Sequence, residues 1–150
     1  MSQSLAKLLT HLVFSTKNRE ALIHDDIRDE LHRYMATILK DMESPPILIN
    51  SVEDHIHILF VLSKNYALKG VVEKARKETS KWIKRRNPNL AGFYWQAEYG
   101  AFSVSQSNVH EVTRYIAAQR EHHAKTSFQT EFRAFLKRYR VEFDERYVWD

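Results

Sequence analysis

Cysteine is absent from all 150 residues, which excludes disulfides, thiolate metal sites and cysteine nucleophiles and suits a reducing compartment. No apolar run approaches the ~20 residues of a membrane-spanning helix. The amino terminus, with Lys7 its only early cation, lacks the ordered regions of a signal peptide. Proline is scarce, and all three stand where helices stop, at Pro45, Pro46 and Pro88. There are no repeats, no low-complexity segments and no credible linker. The expectation is one soluble, cytoplasmic domain over residues 1–150, large enough to bury a core without staples. The formal charge is +4 and aromatic residues make up 12% of the chain, so the location of the charge matters more than its sum.

What is present is a clear alternation of elements. Residues 8–15 alternate Leu8, Leu12 and Phe14 against Leu9, His11 and Val13, a first strand. Residues 25–42 repeat Ile27, Leu31, Tyr34, Met35, Ile38 and Met42 at helical spacing behind acids in the first turn. A second strand at 47–52 leaves only Glu53-Asp54 before a third, so these two should form a hairpin. A long helix ends near Arg86, a fourth strand covers 101–105, and Asn108 with Glu111 reads as the capping box of a third helix reaching about Lys125. Phe128, Phe132, Phe135, Leu136 and Tyr139 mark a fourth helix, and the apolar tail 141–150 should pack back on the body. The fold class is therefore α+β, a ferredoxin-like antiparallel βαββαβ sheet with two added C-terminal helices and with strands one and three central.

The third strand, Asp54-His55-Ile56-His57-Ile58-Leu59-Phe60-Val61-Leu62, carries the chemistry. Side chains alternate in face along a strand, so His55 and His57 point the same way, about 7 Å apart at Cα, and can share one metal ion. A pair of hydrogen-bonded core histidines is the structural alternative. On the third helix Tyr115 and Gln119 are four apart, on one face. A glutamine carbonyl completing a His-His-Gln set would leave the ion its full charge for polarising an anionic substrate such as a phosphodiester, with Tyr115 as nucleophile. The bland alternative is a packing tyrosine and a solvated glutamine.

The second helix concentrates positive charge: eight cations, including Lys69, Lys74, Lys77, Lys81, Lys84 and Arg85, face two acids, while Leu68, Val72, Ala75, Thr79, Trp82 and Ile83 form its inward side. The outer side is a candidate track for phosphates, or else a solvated face.

These residues resemble a family. Asp54-His55-Ile56-His57, Ser80-Lys81-Trp82, Trp95-Gln96 with residues 99–105, and Tyr115-Ile116-x-x-Gln119 followed by Glu121-His122-His123 look like the single-tyrosine HUH transposases, and the likeness spans nearly the whole chain. Members mobilise insertion sequences as single-stranded DNA and include those associated with repeated extragenic palindromes. The resemblance implies Mg²⁺ or Mn²⁺ held by His55, His57 and Gln119. It also implies cleavage and rejoining at hairpin-marked ends through a 5′-phosphotyrosine on Tyr115. A homodimer with sites shared between subunits is implied as well, and the fourth strand is an edge suited to pairing. Ala118 stands where the family often has asparagine, and Asp54, His122 and His123 fit the pattern without an assigned role. An RNA-binding module would carry aromatics where strand three has histidines, and a two-histidine phosphoesterase would need a second His-x-Ser/Thr motif. A domesticated DNA-repeat-binding protein or regulator on the same fold is the remaining alternative.

Overall fold

The computed structural model describes residues 3–150. Strands β1 (Leu8–Ser15), β2 (Pro46–Ser51), β3 (His55–Leu62) and β4 (Gly100–Ser103) form an antiparallel sheet in the order β2-β3-β1-β4. The expected topology is therefore present, with β1 and β3 central. Helices α1 (Asp25–Asp41) and α2 (Leu68–Arg86) cover one face, where Ile27, Leu31, Met35, Val72, Ala75 and Ile83 pack on Leu12, Phe14, Ile56, Ile58 and Phe60. Asp25 and Asp26 place negative charge in the first turn of α1, where the helix dipole favours it. Its far end turns through Glu43 at a left-handed φ of 52°, with the Ser44 N–H returning to the Leu39 carbonyl.

The opposite face is covered by α3 (Val109–Ala117) and α5 (Phe128–Arg138), with the single turn and a half of α4 (Gln119–His123) between them. Val109, Val112 and Ile116 of α3 pack with Leu9, Leu59, Val61 and Val104. Phe128, Phe132 and Leu136 of α5 pack with Val13 and Phe102, and Phe143, Val148 and Trp149 of the tail close over them. A buried Phe or Leu contributes roughly 1.5–3 kcal/mol, so these three side chains are enough to hold α5 on the sheet. Gly100 permits the close approach, because a Cβ there would stand 2.5 Å from the Phe132 ring. As expected, the tail returns to the body: the Ala97 N–H donates to the Asp150 carbonyl at 2.6 Å and Gln96 Nε2 to that of Val148 at 3.3 Å.

Two local expectations are corrected. The third helix does not run unbroken to Lys125; it breaks at Ala118, where φ is −93° and ψ 17°. Asn50 of β2 meets the break, its side-chain N–H donating at 2.8 Å to the Ile116 carbonyl at the end of α3. The capping box also does not form. Asn108 makes no side-chain cap, and a short 3-10 turn over Gln106–Asn108 leads into the helix instead.

Candidate metal and nucleophile centre

The alternation of β3 sends Ile56, Ile58 and Phe60 into the core beneath α1 and α2 and turns His55 and His57 to the α3/α5 face, where both are fully buried. On β1, Val13 lies across from His57, so His11, two residues along, shares that face. His11 Nε2 stands 2.8 Å from His57 Nδ1. His55 is held from outside by Asp54, whose carboxylate accepts from Nδ1–H at 2.7 Å. That tautomer leaves His55 Nε2 a free lone pair directed inward.

Tyr115 on α3 lies over this floor, its ring centroid 5.9 Å from that of His57 and 6.4 Å from that of His11. Gln119 is wholly buried, with Oε1 3.4 Å from His55 Nε2 and its amide donating to the Tyr115 carbonyl at 3.2 Å. The four residues singled out in the sequence, His55, His57, Tyr115 and Gln119, are thus brought together. Within the chain, Val109, Val112 and Ile116 seat α3 on the sheet that carries the histidines.

Glu131 of α5 enters the middle of the group. Its Oε1 is 2.9 Å from His57 Nε2, its Oε2 accepts a hydrogen bond from the Tyr115 hydroxyl, and the same oxygen lies 3.2 Å from His122 Nε2. Burial works against its charge, yet the hydrogen bonds from His123 and His57 hold its carboxyl well below the usual range. Burial first, and then the neighbouring His57, push His11 down to about 3, against the pull of Glu131. His57 is lowered mainly by burial, against the pull of Glu131. Burial first, and the Glu131 charge next, raise the Tyr115 phenol above its ordinary value of about 10. Inward lone pairs, a buried carboxylate and an amide oxygen are a donor set that fits a divalent cation. Tyr115 faces outward onto a cleft of about 820 Å³ between α3 and α5, lined also by His11, Glu131, Phe135, Arg138 and Tyr139.

The basic residues are placed elsewhere. Lys69, Lys74, Lys77, Lys81 and Arg85 are exposed on α2, across the sheet from Tyr115, and Lys84 lies 3.9 Å from the centroid of the Tyr94 ring. Lys69 and Lys74 sit 3.8 and 3.7 Å from Glu73 and Glu78, exposed pairs of small energetic consequence. Sequence reasoning gave His11 and Glu131 no role, although each leaves a trace. His11 has the parity of Val13 on a central strand, and Glu131 is an acid on the apolar stripe of Phe128, Phe132 and Phe135.

The chain belongs to the IS200-like transposases, whose family description matches residues 4–119. Its fold is shared with a protein of Deinococcus radiodurans R1 assigned as a transposase, at a TM-score of 0.62 and 20% identity, covering 79% of this chain and 98% of that one. It is shared also with a REP-associated tyrosine transposase solved bound to a REP hairpin, at 0.60 and 12% identity, covering 84% and 76%. No curated protein matches the sequence significantly. Among the described residues no helix is long and apolar enough to cross a membrane.

Proposed function

We propose that this transposase cleaves and rejoins single-stranded DNA at hairpin-marked ends through a 5′-phosphotyrosine on Tyr115, with Mg²⁺ or Mn²⁺ held by His55, His57 and Gln119. One observation carries the reading: a tyrosine hydroxyl at the wall of an open cleft stands over two buried histidines whose spacing suits one ion. When bound, the ion supplies Lewis-acid polarisation of the scissile phosphate and offsets the charge that Glu131 places beside the phenol.

The chain does the rest. The Tyr115 oxygen forms a bond to phosphorus and the bond from phosphorus to the 3′-oxygen breaks. The phenolic proton passes to Glu131, which already accepts it in a hydrogen bond, and the departing oxygen takes a proton from solvent to become a 3′-hydroxyl. Because the phosphotyrosine keeps the energy of the bond, a 3′-hydroxyl on another strand end reverses the step and joins without ATP. The exposed cations of α2 serve as a remote track for DNA phosphates. We include a homodimer in the proposal, paired through the β4 edge.

The test is a denaturing gel of protein incubated with Mn²⁺ and single-stranded DNA labelled 3′ to the cleavage point. A covalent adduct is expected with the native protein and none with Tyr115→Phe, which should still bind. An equal adduct with Tyr115→Phe would overturn the reading. Hairpin binding without any adduct would favour a domesticated repeat-binding protein. For the dimer, a verified heterodimer of His55→Ala/His57→Ala with Tyr115→Phe reads out the placement of the nucleophile. Recovered cleavage means that α3 serves the partner's histidines, and none means that each chain completes its own site.

A further inference from the structure

A buried carboxylate on the apolar stripe of α5 costs several kcal/mol unless its charge is answered, and Glu131 is only 4% exposed. What answers it is a ring of imidazoles. Besides its 2.9 Å approach to His57, its Oε1 lies 3.6 Å from His55 Nε2 and its Oε2 3.1 Å from His123 Nε2. His55 Nε2 and His123 Nε2 are themselves 3.0 Å apart.

The outer nitrogens decide what the inner ones can be. His123 Nδ1 is 2.6 Å from the Thr126 carbonyl, which only accepts, so that nitrogen carries the hydrogen. His55 Nδ1 carries one for Asp54 by the same reasoning. In their neutral forms both imidazoles turn bare Nε2 lone pairs toward each other and toward a carboxylate. In that form no hydrogen lies between them. Such a group calls for a cation, and all four donor residues place their ligand atoms within 4.8 Å of one another. Separations of 2.9 to 3.6 Å are those of neighbouring donors around an ion bonded at about 2.0–2.2 Å.

We propose that Glu131 and His123 are ligands of the ion, joining His55, His57 and Gln119, so that the metal ties α4 and α5 to the catalytic sheet. This rests on the metal-dependent reading above and changes its chemistry. A neutral His-His-Gln set becomes an anionic one rich in nitrogen, which favours Mn²⁺ and other transition ions over Mg²⁺, an ion that prefers oxygen ligands. Glu131 also acquires two tasks at once, with one oxygen on the ion and the other on the Tyr115 hydroxyl. The competing arrangement is a protonated His123 paired with Glu131, which requires no metal.

Calorimetric titration with MnCl₂ at neutral pH compares the native protein with E131Q and H123A. Each variant is expected to bind at least about tenfold more weakly. Hydrogen exchange over residues 128–138 should slow on adding Mn²⁺ to the native protein and not to E131Q. Where a variant fails to fold, anomalous diffraction from Mn²⁺-soaked native crystals decides, with the ion expected about 2.2 Å from a Glu131 oxygen and a His123 nitrogen. Native-like affinity in either variant, an ion out of reach of Glu131 or His123, or no Mn²⁺ binding at all would overturn the assignment. Metal-dependent adduct formation at Tyr115 with Mn²⁺ affinity unchanged in both variants would remove these two ligands and leave the proposed function standing. Mn²⁺ bound through Glu131 with no DNA adduct would do the reverse.

Discussion

His11 Nε2 and His57 Nδ1 face each other at 2.8 Å across the two central strands, both rings buried. With its Nδ1 hydrogen given to His11, His57 presents Nε2 as a lone pair to the centre; with the opposite tautomer it donates to Glu131 instead. His11 thus governs which role His57 plays. Replacing it by phenylalanine removes the acceptor and keeps an aromatic ring beside Phe135, whose centroid is 5.2 Å away. His11→Phe should lower Mn²⁺ affinity about 10- to 100-fold with little change in melting temperature. Native affinity in that variant would deny His11 any orienting part.

Gly100 sets how closely α5 approaches the sheet. A methyl group there would meet the ring of Phe132 at 2.5 Å and that of Phe102 at 3.0 Å, both in a packed layer. Gly100→Ala is expected to cost about 1–3 kcal/mol in denaturant unfolding. It should also speed hydrogen exchange in α5 more than in α1. Unaltered stability would show that the layer can yield.

On α2, exposed Lys77, Lys81 and Arg85 face solvent and lie across the sheet from Tyr115. Neutralising one of them should reduce the salt slope of single-strand binding by about 0.7. Cleavage at saturating DNA should stay the same. A slope unmoved by replacing all three would make this face merely solvated.

His32 on α1 supplies a pH dependence away from the centre. Burial foremost, and Arg28 in part, lower it to about 4, while Asp29 pulls the other way and Ser51 Oγ lies 2.7 Å from its Nε2. Between about 6.5 and 4 the unfolded chain binds a proton at this position that the folded chain does not, so stability falls as pH falls through that window. The loss from pH 7 to 5 should be on the order of 1 kcal/mol, allowing for partial solvent screening. Urea unfolding at the two pH values measures it. His32→Asn should flatten that part of the curve, and an unchanged slope would refute the assignment to His32.

Much of this molecule is written in local pattern. A period of two along residues 55–62 dictates that His55 and His57 share a face, and a four-residue step brings the Gln119 amide to the Tyr115 carbonyl despite the break at Ala118. The clustering of cations on α2 is equally a property of the chain. Only the tertiary structure decided which sheet face each helix covers, and so set the basic helix apart from the histidines. It alone decided that Glu131 meets His57 across 74 residues of sequence and His11 meets it across 46. Periodicity states which side of an element is buried but carries no information about what it is buried against; that depends on the order in which strands pair and on where α5 is clamped over Gly100.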